Sequence, residues 1–133
     1  MYKYSNSIYF GGFKERSKLE ENDFIIINLS KRNIKNTDYW IPLNDGVYDN
    51  GGNTQQKFAE AVNTIRENMC DNKIFVHCAV GQSRSVSALA TAIAAEKDKE
   101  FKNILNELLD IRGCSSEPNY SLQNKAKVYL RHI

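Results

Sequence analysis

The sequence predicts an α/β fold, with a small, mainly parallel sheet of four to five strands flanked by helices and a tight loop joining one strand to a buried helix. Three observations predict it. Short β-branched and aromatic runs are bounded by Gly, Pro or Asn, and longer stretches repeat apolar residues every three or four positions. These two patterns alternate early in the chain, and helical patterns alone finish it.

Ile8-Tyr9-Phe10, stopped by Gly11-Gly12, reads as a short first strand. Phe24-Ile25-Ile26-Ile27-Asn28-Leu29 has no apolar–polar alternation, the pattern of a strand covered on both faces. Tyr39-Trp40-Ile41 is a third strand, ended by Pro42, whose aromatics are expected to join strand and core packing. Residues 44–53 then hold three Gly, three Asn and two Asp and read as a loop. Thr54 can cap a helix in which Phe58, Ala61, Val62, Ile65 and Met69 share one face. Ile74-Phe75-Val76 is the fourth strand and runs directly into His77-Cys78. Residues 86–95 are almost wholly small or apolar, so this helix is expected to be buried on most sides and to form a spine. Two amphipathic helices follow, one built on Phe101, Ile104, Leu105, Leu108 and Leu109, the other on Leu122, Ala126, Tyr129, Leu130 and Ile133.

A length of 133 residues suits one domain spanning 1–133, with one site. A formal charge of +2, with Lys and Arg scattered among Asp and Glu, argues against nucleic acid as a partner. Residues 24–27 are as long an unbroken apolar run as the chain contains, too short to span a membrane, and residues 1–9 lack a signal-like apolar segment. A cytoplasmic location is the expectation. Three cysteines without paired spacing favour reduced thiols over a disulfide framework or zinc site, and Cys70 and Cys114 are expected to be small core residues. Oligomeric state is not encoded in any pattern of the sequence.

Chemistry concentrates in His77-Cys78-Ala79-Val80-Gly81-Gln82-Ser83-Arg84-Ser85, between a buried strand and a buried helix. Five residues separate Cys78 from Arg84, enough for the loop to curl with its N–H groups around the sulfur and against the helix N-terminus, which makes an anion site. Gly81 permits a positive φ or close backbone approach, and Arg84 offers a planar fork for two phosphate oxygens. Ala79, Val80, Gly81, Gln82, Ser83 and Arg84 are the expected phosphate-binding residues. The same amides, helix end and guanidinium favour the thiolate, so Cys78 is expected to be a nucleophile at neutral pH with no metal or other cofactor.

This stretch matches the HCxxGxxR[ST] signature of cysteine-dependent protein tyrosine phosphatases, and the chain resembles the compact dual-specificity phosphatases of that family. The resemblance extends to Ile8-Tyr9-Phe10-Gly11-Gly12, Ile27-Asn28-Leu29, Tyr39-Trp40-Ile41-Pro42-Leu43-Asn44-Asp45 and Pro118-Asn119. It implies that Cys78 attacks phosphorus, Arg84 holds the equatorial oxygens, and Ser85 donates to the departing thiolate. It also implies that His77 supports the loop from behind through a backbone hydrogen bond. The family's general acid is an aspartate on an upstream loop, which corresponds to Asp45, with Asp49 as the alternative. Asn119 is open between a helix cap and a residue that orders the phosphate loop.

The resemblance implies a phosphoprotein phosphatase acting on phosphotyrosine, with phosphoserine and phosphothreonine as candidate substrates, since the chain leaves little room for a deep aromatic substrate loop. Phosphoinositide relatives place lysines in the phosphate loop, whereas Ala79, Val80, Gln82 and Ser83 are neutral; RNA 5′-phosphatase relatives are disfavoured by the weak net charge. A catalytically inactive phosphoresidue-binding module needs the loop alone, and a rhodanese-type sulfur transferase would lack the His77-Cys78 pair and the trailing Arg84-Ser85.

Overall fold

A computed structural model describes residues 1–20, 23–44, 55–114 and 116–133. The elements follow the order β1 (Tyr2–Lys3), β2 (Ile8–Gly11), α1 (Phe13–Arg16), β3 (Ile25–Asn28), β4 (Tyr39–Trp40), α2 (Gln55–Met69), β5 (Ile74–His77), α3 (Arg84–Lys97), α4 (Phe101–Arg112) and α5 (Tyr120–Arg131). The sheet order is β1-β2-β5-β3-β4. β5 lies at its centre, parallel to β2 and β3, and β3 is parallel to β4, whereas β1 pairs antiparallel with β2. This is the expected small, mainly parallel sheet.

Side chains alternate across a strand, and the alternation divides the core. Ile8, Phe10, Ile27, Leu29, Ile74 and Val76 face the large cluster completed by α2, α3, α4 and α5. The intervening Ile26 and Phe75 face a smaller cluster with Leu19, supported by Tyr9 and Phe24. Such fully buried side chains contribute about 1.5–3 kcal/mol each, which is why strands without a polar face are stable here.

The helices bury the faces that their apolar spacing predicts. In α2 these are Phe58, Ala61, Val62, Ile65 and Met69, and in α4 they are Phe101, Ile104, Leu105, Leu108 and Leu109. Every residue of α3 from Arg84 to Ala94 is buried, and the helix touches α2, α4, α5, β2 and β5. It is the spine that its small residues foretold, because Ala and Ser let neighbouring helices approach on several sides. In α5, Leu122, Ala126 and Tyr129 are buried, whereas Ile133 lies beyond the helix and is exposed. No helix among the described residues is long and apolar enough to cross a membrane.

Several expectations need correction. β1 and α1 are additional elements, and β4 stops at Trp40, with Ile41 buried just beyond it. Tyr39 and Trp40 are 42% and 43% exposed, because β4 is an edge strand of the sheet; the Trp40 indole still donates to the Ser30 carbonyl at 2.8 Å. Cys70 is exposed and Cys114 half-buried, since Cys70 follows the last turn of α2 and Cys114 follows the C-terminal cap of α4 rather than lying on an inward face.

Candidate active site

The site is built where the central strand ends. β5 stops at His77, and the chain turns through residues 78–83 into the N-terminus of α3. An α-helix leaves its first backbone N–H groups without intrahelical partners, and this one has no acidic residue in its first turn to occupy them. Positive partial charge is therefore available beside Cys78.

Cys78 is 2% exposed. Its Sγ accepts from the Gly81 amide at 3.3 Å and lies 3.3 Å from Ser85 Oγ, which can donate to it once the thiol is ionised. The sulfur lies in a cleft of about 250 Å³ lined by Cys78, Val80, Gln82, Ser83 and Arg84. A larger cleft lies between α2 and α5, but size alone does not select a reactive site: its lining includes no cysteine and no phosphate-gripping loop.

The loop is held by its carbonyls. Cys78 O lies 3.2 Å from His77 Nδ1, Ala79 O accepts from Phe13 N–H at 2.8 Å, and Val80 O lies 3.5 Å from Arg112 Nη2. In a planar trans peptide the C=O and the following N–H point in opposite directions. Donors fixed outside the loop thus turn the amides of Ala79, Val80 and Gly81 to its other side, and for Gly81 that side is the sulfur. Gly81 adopts φ +82°, a conformation that favours glycine, and a Cβ there would stand 2.5 Å from the Gly11 carbonyl carbon. Gly11 also accepts from the Cys78 amide at 3.3 Å, so the two-glycine stop after β2 is the platform on which the loop rests.

His77 is fully buried, stacked on Phe75 with ring centroids 5.4 Å apart and in edge contact with Phe13 with ring centroids 6.1 Å apart. Burial pushes its pKa down from 6.5 to about 4, with the nearby Arg16 cation adding to the effect and the Cys78 carbonyl opposing it. The ring is neutral at physiological pH. In the neutral tautomer with hydrogen on Nδ1, the ring donates to the Cys78 carbonyl at 3.2 Å.

Arg84 is 8% exposed, and its Nη1 donates to the Leu43 carbonyl at 3.2 Å. Its Nε is buried without a partner among the described residues. A guanidinium that lines the cleft and is anchored by one nitrogen keeps other donors of its planar fork, and such a fork is suited to gripping an anion. Asp45 and Asp49 lie outside the described residues; the described chain before them ends at Asn44, next to the Leu43 that Arg84 holds. Asn119 caps α5, accepting from Leu122 N–H at 3.0 Å.

Cys78, Ser85, Arg84, His77 and the intervening loop are thus brought together. Sequence reasoning missed Phe13 and Arg112, the outside donors to the loop. Neither has a local signal beyond its element: Phe13 opens a four-residue helix, and Arg112 is a basic residue in a helix's last turn.

No family model matches the chain, and no curated protein sequence does. Solved structures do. DUSP15 superposes with a TM-score of 0.76 at 20% identity, over 96% of this chain and 85% of that one. Human DUSP28 gives 0.79 at 12% identity, over 98% and 93%. The human tyrosine phosphatase-like serine/threonine/tyrosine-interacting protein gives 0.75 at 15%, over 99% and 96%. Alignments that span nearly both chains, together with the mainly parallel five-stranded sheet, give this protein the fold of the compact dual-specificity phosphatases.

Proposed function

We propose that this chain is a phosphoprotein phosphatase that acts on phosphotyrosine, and is open to phosphoserine and phosphothreonine, through a phosphocysteine intermediate. The observation that carries this reading is the environment of one sulfur: Cys78 Sγ at the start of α3, 3.3 Å from both the Gly81 amide and Ser85 Oγ, in a cleft also lined by Arg84.

In the first step, an electron pair on Sγ forms the S–P bond as the bond from phosphorus to the side-chain oxygen breaks. That oxygen takes a proton from Asp45 and leaves as a neutral hydroxyl. Arg84 and the loop amides of residues 79–83 hold the non-bridging oxygens, where charge-assisted hydrogen bonds are worth about 1.5–3 kcal/mol each. In the second step, water attacks phosphorus and gives a proton to the Asp45 carboxylate. The S–P electron pair returns to Sγ, with Ser85 Oγ–H and Gly81 N–H donating to the sulfur, and inorganic phosphate departs. No step calls for a metal.

Hydrolysis of para-nitrophenyl phosphate by wild type and Cys78→Ser tests the proposal. The expected result is turnover in wild type and none in the variant. Equal rates, or no turnover in either protein, would leave a phosphoresidue-binding role instead. Rates on matched phosphotyrosine, phosphoserine and phosphothreonine peptides then define the substrate class.

A further inference from the structure

The Val80–Gly81 peptide links the sulfur to a distant pair of side chains. Its N–H donates to Cys78 Sγ at 3.3 Å, and its C=O lies 3.5 Å from Arg112 Nη2, at the outer limit of a hydrogen bond. The other terminal nitrogen, Nη1, donates to the Tyr2 hydroxyl at 2.8 Å, and the guanidinium carbon lies 4.8 Å from the centroid of the Tyr2 ring. Tyr2 is itself fixed, paired with Phe10 across the β1–β2 ladder with ring centroids 5.6 Å apart.

We infer that Arg112, held by Tyr2, is a positioning residue for the phosphate loop, anchoring the Val80 carbonyl so that the Gly81 amide is aimed at the sulfur. Two features set this contact apart from ordinary surface packing. No carboxylate lies within ion-pair distance of Arg112 among the described residues. Its Nε is also buried without a hydrogen-bond partner among the described residues. A buried unsatisfied donor calls for a reason, and the shared grip supplies one: only a fork can reach Tyr2 with one nitrogen and Val80 with another. The role also explains why a two-residue strand at the start of the chain packs against the end of α4. The consequence for turnover rests on the proposed phosphatase reading, whereas the effect on the sulfur does not.

The test uses the full chain with Cys70 and Cys114 replaced by Ser, so that iodoacetamide reports Cys78 alone. The pH midpoint of alkylation is measured for this protein and for Arg112→Met, Arg112→Lys and Tyr2→Phe, each checked for folding by its thermal midpoint. Arg112→Met is expected to raise the alkylation midpoint by about 0.5–1 pH unit, through loss of both the charge and the oriented amide. Arg112→Lys and Tyr2→Phe are expected to give smaller rises, because the first keeps the charge without the fork and the second keeps the fork without its anchor. In the same order, kcat/KM on para-nitrophenyl phosphate should fall by about tenfold or less. An unshifted midpoint in Arg112→Met, or wild-type behaviour of Arg112→Lys, overturns the inference; if Arg112→Met does not fold, the other two variants decide. Absence of turnover in the parent protein would count against the phosphatase reading, while the alkylation profile would still decide the role of Arg112.

Discussion

Gly81 places its amide 3.3 Å from the sulfur of Cys78 only by adopting φ +82°, with its α-carbon pressed against the Gly11–Gly12 backbone. Anion recognition and backbone packing thus meet at one residue with no side chain. Gly81→Ala must pay twice, for a left-handed conformation and for a methyl group 2.5 Å from the Gly11 carbonyl carbon. The expected loss is roughly 2 kcal/mol or more of stability. Urea unfolding measures that loss, and vanadate affinity should fall with it; a variant as stable and as tightly inhibited as wild type would show that the loop has another way to close.

Ser85 is fully buried, with Oγ 3.3 Å from the sulfur and no role in gripping the phosphate oxygens in the proposed mechanism. Its removal should therefore spare phosphocysteine formation and slow its hydrolysis. For Ser85→Ala we expect kcat to fall about ten- to a hundredfold, the equivalent of one hydrogen bond to an anion. Rapid-mixing experiments should show a burst of para-nitrophenol followed by slow turnover. A fall in the first phase instead would move Ser85 to the attack step.

The strand–loop–helix setting of Cys78 was legible in the sequence because it is local. Cys78, Gly81, Arg84 and Ser85 are neighbours in the chain, and their spacing between a strand and a helix fixes most of the geometry. What supports the loop was not legible. Phe13 reaches Ala79 and Arg112 reaches Val80 across long sequence separations, and neither contact leaves a pattern in its own segment. The four-residue α1 was hidden for a similar reason: Gly12 supplies its cap position, where Ser, Thr, Asn or Asp would have signalled a start, and the Glu15 carboxylate accepts the Gly12 amide at 2.8 Å. Trp40 was misjudged because hydrophobicity reports that a side chain packs somewhere but not that its strand lies at a sheet edge.

Asp45 can be tested through pH. As general acid in the first step it must be protonated, so kcat/KM should decline on the alkaline side as that proton is lost, with the acid side set by ionisation of thiol and substrate. Asp45→Asn should flatten the alkaline limb. The loss should be greater on phosphoserine peptides, whose leaving oxygen is strongly basic, than on para-nitrophenyl phosphate, with about 10²–10⁴-fold as the range for a general acid. An unchanged limb in Asp45→Asn and a flattened one in Asp49→Asn would transfer the role.

His77 predicts a separate pH effect, on stability rather than rate. Its pKa is about 4 in the folded chain against 6.5 for an ordinary histidine, and burial is the main cause. Above pH 6.5 the ring is neutral in both folded and unfolded chains, and nothing is lost. Between 6.5 and 4 the unfolded chain takes up a proton that the folded chain refuses, so stability falls as pH falls. The full difference amounts to roughly 3 kcal/mol at about 1.4 kcal/mol per pH unit. Denaturant titrations from pH 7 to 4 should show this decline, and His77→Gln, which cannot titrate, should lose most of it. Glu117, an exposed carboxylate held below its usual range chiefly by its hydrogen bond to Lys102, titrates under pH 4.5 and leaves the upper part of the window to histidine. An equal decline in His77→Gln would mean that the imidazole is not buried neutral behind Cys78, and the support of the loop by its Nδ1–H would have to be abandoned.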